Sequence, residues 1–211
     1  DDETAPYLVR YDEFAAGSYV DAHSHRLGHL NYTAHGTMTI ETQGKSLIAP
    51  PQHGVWIPPG VEHNCYVQQA IVYRSFYVQP DLCVDLPRQA CIMRISAIAR
   101  SVLTDLAHRN IRRPSAAEDV RLAQVMLDQM RLAKSEHSYL PQARSASLGA
   151  VLDALTTDPG SRRSVAEWAQ SVHLTERTLA RHCVHELGMG LAEWRQRLRH
   201  LCAVEALGLG Q

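Results

Sequence analysis

No stretch of the 211 residues approaches the run of about 18 apolar residues that a membrane-spanning helix needs, so no membrane partner is expected. The opening Asp1-Asp2-Glu3-Thr4 is acidic and lacks the basic start of a secretory signal. An initiating Met is missing too, and a trimmed chain is expected. Cysteine is scarce. The five residues Cys65, Cys83, Cys91, Cys183 and Cys202 are odd in number and never spaced as CxxC. That argues against a disulfide framework or a zinc knuckle, and it fits a reducing cytoplasm. No internal repeat or low-complexity tract is present.

An excess of charge of one sign is also lacking: 21 Lys and Arg face 22 Asp and Glu, a net of −1. The distribution is uneven. Residues 161–200 hold seven Arg (162, 163, 177, 181, 195, 197, 199) against four Glu (167, 176, 186, 193), whereas residues 1–160 are net acidic. A basic C-terminal segment behind an acidic body suits a nucleic-acid-facing end; charge alone fits a solvated helix face equally well.

What is abundant is punctuation. Short apolar runs over residues 7–80, such as Met38-Thr39-Ile40 and Ile71-Val72-Tyr73, alternate with turn signals at Gly17, Gly36, Gly44, Pro50-Pro51, Gly54 and Pro58-Pro59-Gly60. Many short strands with close turns predict an antiparallel barrel or sandwich. After Pro87 the pattern turns helical. Ser96 caps an expected helix from Ala97 to about Leu106, and Pro114-Ser115 opens a longer one to about Lys134. The stripe Val120, Ala123, Leu127, Met130 on the latter either packs on the barrel or meets a second subunit. A Ser- and Ala-rich connector spans residues 136–147, and a short helix from Leu148 to Leu155 follows.

Residues 164–187 carry the sharpest signal. Ser164-Val165-Ala166-Glu167 is a capping box opening a short helix to about Ser171. Val172-His173-Leu174 is a short turn, Thr175 caps a second helix to Leu187, and Gly188 terminates it. Val165, Trp168, Ala169, Leu174, Leu179, Cys183 and Leu187 are expected to face inward. Glu176, Arg177, Ala180, Arg181 and His185 are left outside. Arg177 and Arg181 lie one turn apart and point the same way, as two guanidinium groups reading guanines in a major groove would.

The run Ser164-Val-Ala-Glu-Trp-Ala-Gln, then Leu174-Thr-Glu-Arg-Thr-Leu-Ala-Arg181, then Glu186-Leu-Gly-Met-Gly-Leu-Ala-Glu-Trp-Arg195 resembles the first helix-turn-helix of AraC/XylS-family transcription regulators. That family reads approximately S-x-x-x-W-A, S-x-R-T-L-x-R, E-x-G-M, W-R. The resemblance implies base reading at the positions matched by Arg177, Ala180 and Arg181, with Thr175, Glu176 and Arg195 as further DNA contacts. Ala180 offers no hydrogen bond and would touch at most a thymine methyl. His173 stands where the family has Gly in the turn, and Cys183 where a bulky Phe is common. The linker helix of the family corresponds to Leu191 to Leu207. A second helix-turn-helix is absent, so a truncated, proteolysed or partly ordered chain is expected.

Six of the twelve histidines fall between residues 23 and 63. His23-Ser24-His25 is an H-x-H pair, which on a strand puts both rings on one face. His29 follows, and His63 closes Pro58-Pro59-Gly60-Val61-Glu62-His63. This pattern is similar to the two cupin motifs, G-x5-H-x-H-x3,4-E-x6-G and G-x5-P-x-G-x2-H-x3-N. Gly17, His23, His25 and Gly36 match the first, with His29 where that superfamily has Glu. Pro58, Gly60 and His63 match the second, with Gly54 and the final Asn out of register. The resemblance implies His23, His25, His29 and His63 as ligands of a divalent metal: zinc, nickel, copper or iron. A barrel that keeps the fold without the metal is the alternative. His35 and His53 are read as loop or edge residues.

The expected fold is α+β: a cupin-like antiparallel β-barrel, then helices, then a C-terminal helix-turn-helix subdomain. The expected domains are a sensor barrel over 1–90, a helical pair for packing or dimerisation over 91–140, and a helix-turn-helix subdomain over 141–211. The expected function is a cytoplasmic, non-enzymatic regulator that binds double-stranded DNA under control of a metal ion or small effector, with a homodimer as a further partner. The alternative is a metal-dependent cupin enzyme of dioxygenase or isomerase type, with Glu62 the only evident acid–base partner in the motif region.

Overall fold

The computed structural model describes residues 5–43, 45–50, 52–67, 70–136 and 139–208. The expected turns at Gly44 and Pro51, and part of the 136–147 connector, lie outside the described residues. The chain divides into two compact units, residues 1–139 with 208–211, and residues 140–207.

Among the described residues the first unit has ten strands: β1 (Tyr7–Phe14), β2 (Tyr19–His23), β3 (Gly28–His35), β4 (Met38–Thr42), β5 (Lys45–Ala49), β6 (His53–Ile57), β7 (His63–Tyr66), β8 (Ile71–Val78), β9 (Cys91–Arg94) and β10 (Ser135–Glu136). All pairings are antiparallel. A six-stranded sheet runs β1-β8-β3-β6-β9-β10, and a four-stranded sheet runs β2-β7-β4-β5. Of the barrel or sandwich that the strand pattern left open, the described strands form a two-sheet sandwich with open edges, and the closed barrel of the expected cupin-like fold is not formed. Where the chain passes from one sheet to the other it turns on residues that do not carry a ladder forward. Pro50 and Pro58-Pro59 lack the N–H a ladder needs, and Gly17 and Gly36 take left-handed φ of 79° and 75°.

The period-two pattern of the large sheet sorts its side chains. On one face Val9, Leu30, Trp56, Phe76 and Met93 join the helices α1 (Ala97–His108) and α2 (Ala117–Leu132) in one core. On the other, His29, Asn31, Tyr73 and Tyr77 face the small sheet across an internal cavity. Both faces are covered, so β3 and β8 are buried along most of their length and lose the simple alternation of a solvated strand. β9 escapes sequence reading for the same reason: Cys91, Ile92 and Met93 are all buried, so the sheet continues past the helical signal expected after Pro87.

Ser96 caps α1 by accepting the Ala99 N–H at 3.1 Å. The α2 helix begins at Ala117, later than Pro114-Ser115 predicted. Arg109 at the end of α1 pairs with the buried Asp119 at 2.6 Å, tying the two helices together. Of the two uses open to the α2 stripe, the chain's own core takes Ala123, Leu127 and Met130.

The second unit is helical: α3 (Ala146–Thr157), α4 (Val165–Ser171), α5 (Glu176–His182) and α6 (Leu191–Gly208). In the capping box that starts α4, Ser164 Oγ accepts the Glu167 N–H at 3.2 Å and Glu167 accepts the Ser164 N–H at 2.7 Å. Such a cap contributes about 1 kcal/mol. Thr175 Oγ1 accepts the Thr178 N–H at 3.2 Å and starts α5. The helix then widens into one π-type turn, Cys183–Leu187, and ends at Gly188 with φ 72°. Leu152, Leu155, Trp168, Leu179, Cys183 and Trp194 form the core of this unit.

Candidate metal centre and candidate nucleic-acid interface

The four histidines singled out by spacing stand together. His23 and His63 are direct partners across the β2–β7 pair, with ring centroids 4.4 Å apart. His25 lies 4.4 Å from His29 and 5.3 Å from His63, and His29 lies 4.8 Å from His63. The reason for convergence differs from the expected one. β2 ends at His23, so His25 is not placed by strand alternation. It sits in the turn leading to β3, where its carbonyl accepts the Gly60 N–H at 2.9 Å. The Pro58-Pro59-Gly60 turn is thereby fastened to His25 and carries His63 in behind it. His29 is delivered by β3 itself. Gly28 before it is close-packed: a Cβ there would collide with the Trp56 ring.

Hydrogen bonding prepares three of the rings alike. Nδ1 of His23 lies 2.8 Å from the Asp21 carbonyl, Nδ1 of His25 2.7 Å from that of Leu27, and Nδ1 of His63 2.9 Å from that of Val61. A carbonyl only accepts, so each Nδ1 carries the proton and each Nε2 presents a lone pair. This is the arrangement that orients metal-ligating imidazoles. Ligand nitrogens of His23, His25 and His63 all lie within 4.8 Å of one another. A tetrahedral shell with bonds of about 2.0–2.1 Å places them about 3.4 Å apart, within reach of small side-chain rotations. His25 Nε2 and both nitrogens of His29 are buried without a hydrogen-bond partner. Orphaned buried nitrogens in a histidine cluster call for a ligand, and the donor set fits a divalent transition metal.

Electrostatics point the same way. Burial, with the charges of the neighbouring rings, holds His29 well below the ordinary imidazole value. Burial likewise lowers His25 and His63, against the opposing pull of their backbone hydrogen bonds. Neutral imidazole is the metal-binding form. Tyr77, missed by the motif, has its ring 4.9 Å from His29 and 5.5 Å from His25. The signal was the interior run Tyr73, Ser75, Tyr77 at every second position of β8. Behind the rings, a cavity of about 150 Å³ is lined by His29, His63, Asn31, Tyr73 and Tyr77 among others. The Tyr73 hydroxyl donates to Asn31 Oδ1 there at 2.6 Å. His53 opens β6, its ring 5.1 Å from Tyr139. Glu62 is exposed.

In the second unit α5 has two unlike faces. Leu179 is fully buried, while Thr175, Glu176, Arg177, Ala180 and Arg181 are exposed. Among the described residues neither Arg177 nor Arg181 has an ion pair. The turn between α4 and α5 is held by His173 at φ 57°, the left-handed conformation that Gly supplies more easily. Arg195 is set apart from this face. Its guanidinium donates to the carbonyls of Arg163 and Ser161, tying α6 to the loop before α4.

Residues 5–152 match the model of the AraC-like ligand binding domain. The chain belongs to that family. A relative in Escherichia coli strain K12, the HTH-type transcriptional regulator NimR, is 29% identical over 188 residues, spanning 89% of this chain and 68% of NimR. Among solved structures, ToxT from Vibrio cholerae bound to an unsaturated fatty acid aligns over 99% of this chain and 83% of its own, at 8% identity and TM-score 0.45. A cupin superfamily protein from Desulfitobacterium hafniense aligns over 35% of this chain and 68% of its own, at 14% identity and TM-score 0.34. The AraC-like family is one of ligand-binding domains and NimR is a regulator. A non-enzymatic role stands over the cupin-enzyme alternative. No helix among the described residues is long and apolar enough to cross a membrane.

Proposed function

We propose that this chain is an effector-controlled transcription regulator in which α4 and α5 form a helix-turn-helix and α5 enters the major groove of double-stranded DNA. Arg177 and Arg181 would read bases, Ala180 would allow close approach, and Thr175 and Glu176 would flank the contact. The observation that carries this reading is the split of α5, with Leu179 sealed in the core and two arginines one turn apart on the open side. Family membership supports ligand control. NimR, by name a helix-turn-helix regulator, supports the DNA role. Arg195 would act by holding the loop before α4 rather than by gripping phosphate. Such a protein would work in the cytoplasm. A homodimer would need a surface other than the buried α2 stripe.

In the sensor, His23, His25, His29 and His63 would hold one divalent metal. The metal would supply a fixed positive charge to which an effector can bind. Nδ1–H donation to the Asp21, Leu27 and Val61 carbonyls would fix three of the rings, and the sandwich would keep water from His29.

The test is a gel shift of the full chain on DNA upstream of its own and neighbouring genes, against excess random DNA, with zinc-loaded and metal-stripped protein. A retained band that responds to zinc is expected. Equal competition by random DNA under both conditions would remove the regulator reading.

A further inference from the structure

A cavity of about 670 Å³ lies over the outer side of the histidine cluster, its lining including His23, His25 and the guanidinium-bearing residues Arg10, Arg26, Arg112 and Arg113. We propose that this cavity binds an organic carboxylate, its charged end held among the four arginines and its oxygens facing His23 and His25.

The arginines come from three separate places in the chain. Arg10 stands in the middle of β1, Arg26 in the turn between β2 and β3, and Arg112 and Arg113 in the segment between α1 and α2. That last segment is fixed at the cavity edge. The Val9 N–H donates to the Arg112 carbonyl at 2.8 Å, and the Arg112 guanidinium lies 4.4 Å above the Tyr11 ring. Arg10 and the Tyr77 side chain line the same cavity. A run of basic residues on one solvated face would not need such placement.

Counter-charge is thin. No Asp or Glu is among the described lining residues. Among the described residues Asp12 is the neighbouring acid, 4.0 Å from Arg10 and 3.8 Å from Arg112. One carboxylate among the described residues, against the guanidinium groups of Arg10, Arg26 and Arg112, leaves the recess positive, and a recess of one sign concentrates anions. Guanidinium pairs with carboxylate through two parallel hydrogen bonds. Leu8, Val9, Leu27 and the Tyr77 ring give the same cavity apolar wall for a hydrocarbon body. Its volume falls within the range of small-molecule sites, about 300–1,000 Å³. The histidines add to the same field. Four neutral imidazoles would leave a bound metal its full charge, so metal and arginines would both favour an anion. This last step rests on the proposed sensor; the arginine cavity does not.

The test is calorimetric titration of the full chain, metal-stripped and zinc-loaded, with two acid–amide pairs: benzoate and benzamide, hexanoate and hexanamide. At least one acid should bind about tenfold or more tighter than its amide. Arg26→Gln and Arg10→Gln should each weaken acid binding several-fold and leave amide binding alone, with unchanged melting temperatures showing that the variants fold. Equal binding of acid and amide, indifference to both substitutions, or no acid binding up to about 10 mM would overturn the proposal. The sensor reading fails separately. Acid preference and arginine dependence without any zinc binding would leave the carboxylate site standing and remove the metal. Zinc bound through His25, with acid and amide alike, would do the reverse.

Discussion

His23 on β2 faces His63 on β7 as a direct cross-strand partner, after an irregularity in the register between Val20 and His23. An extra residue in a strand bends it and re-aims the side chains beyond it. Here it brings the β2 imidazole to the β7 imidazole, and ligand nitrogens of both rings lie within 4.8 Å of one on His25. A slip of one residue would send His63 to the other face of its sheet.

That pairing implies a stoichiometry. The full chain should bind one zinc ion per molecule, and His25→Ala or His63→Ala should lower its affinity at least about tenfold, the scale of a lost ligand or its support. Metal analysis after gel filtration reads this directly. Full occupancy in both variants would contradict the site. Affinity should also fall at low pH, because protons compete for the same nitrogens, and the fall should begin below the ordinary imidazole value of about 6.5, since burial lowers His25, His29 and His63.

Glu186 links the end of α5 to the start of α3. Its carboxylate accepts the Ser145 and Arg144 N–H groups at 2.8 and 2.7 Å and lies 3.2 Å from His182 Nδ1. The Ser145 hydrogen bonds lead in holding it at about 2, below the usual 4.5. A carboxyl lowered by folding adds stability above its unfolded value and loses it as pH falls toward the folded one. The helical unit should therefore lose stability between about pH 4.5 and 2, and Glu186→Gln should flatten that loss. Thermal melts across this window check it; identical acid limbs would refute it.

Two local substitutions probe the helix pair. His173→Gly removes the strain of a side chain at φ 57° and should stabilise the unit by about 1 kcal/mol. Ser164→Ala removes the α4 cap and should destabilise it by about 1 kcal/mol. Urea unfolding followed by circular dichroism distinguishes the signs. A neutral His173→Gly would show the turn to be unstrained.

The helical unit was the more legible part of the chain, because its boundaries depend on neighbours. Ser164 with Glu167, Thr175 with Thr178, and Gly188 after Leu187 are relations spanning one to three residues. The histidines could be singled out because motif spacing marks residues that turns bring together. Tyr77, Arg10, Arg26, Arg112 and Arg113 carried no such mark, since segments far apart in the chain deliver them to one cavity. Whether two sheets close into a barrel depends on hydrogen bonds at strand edges, which hydrophobic pattern does not encode. The location of His25 beyond the end of β2 was hidden for a related reason: an H-x-H pair reads the same on a strand and across its end.

Base reading by α5 is tested by binding of the Arg177→Ala and Arg181→Ala variants to the upstream DNA fragment and to its scrambled counterpart, measured by fluorescence anisotropy at one salt concentration. Each variant should lose about 1–3 kcal/mol on the upstream fragment and little on the scrambled one, as for a lost two-hydrogen-bond contact to guanine. Equal losses on both DNAs, or none on either, would contradict it.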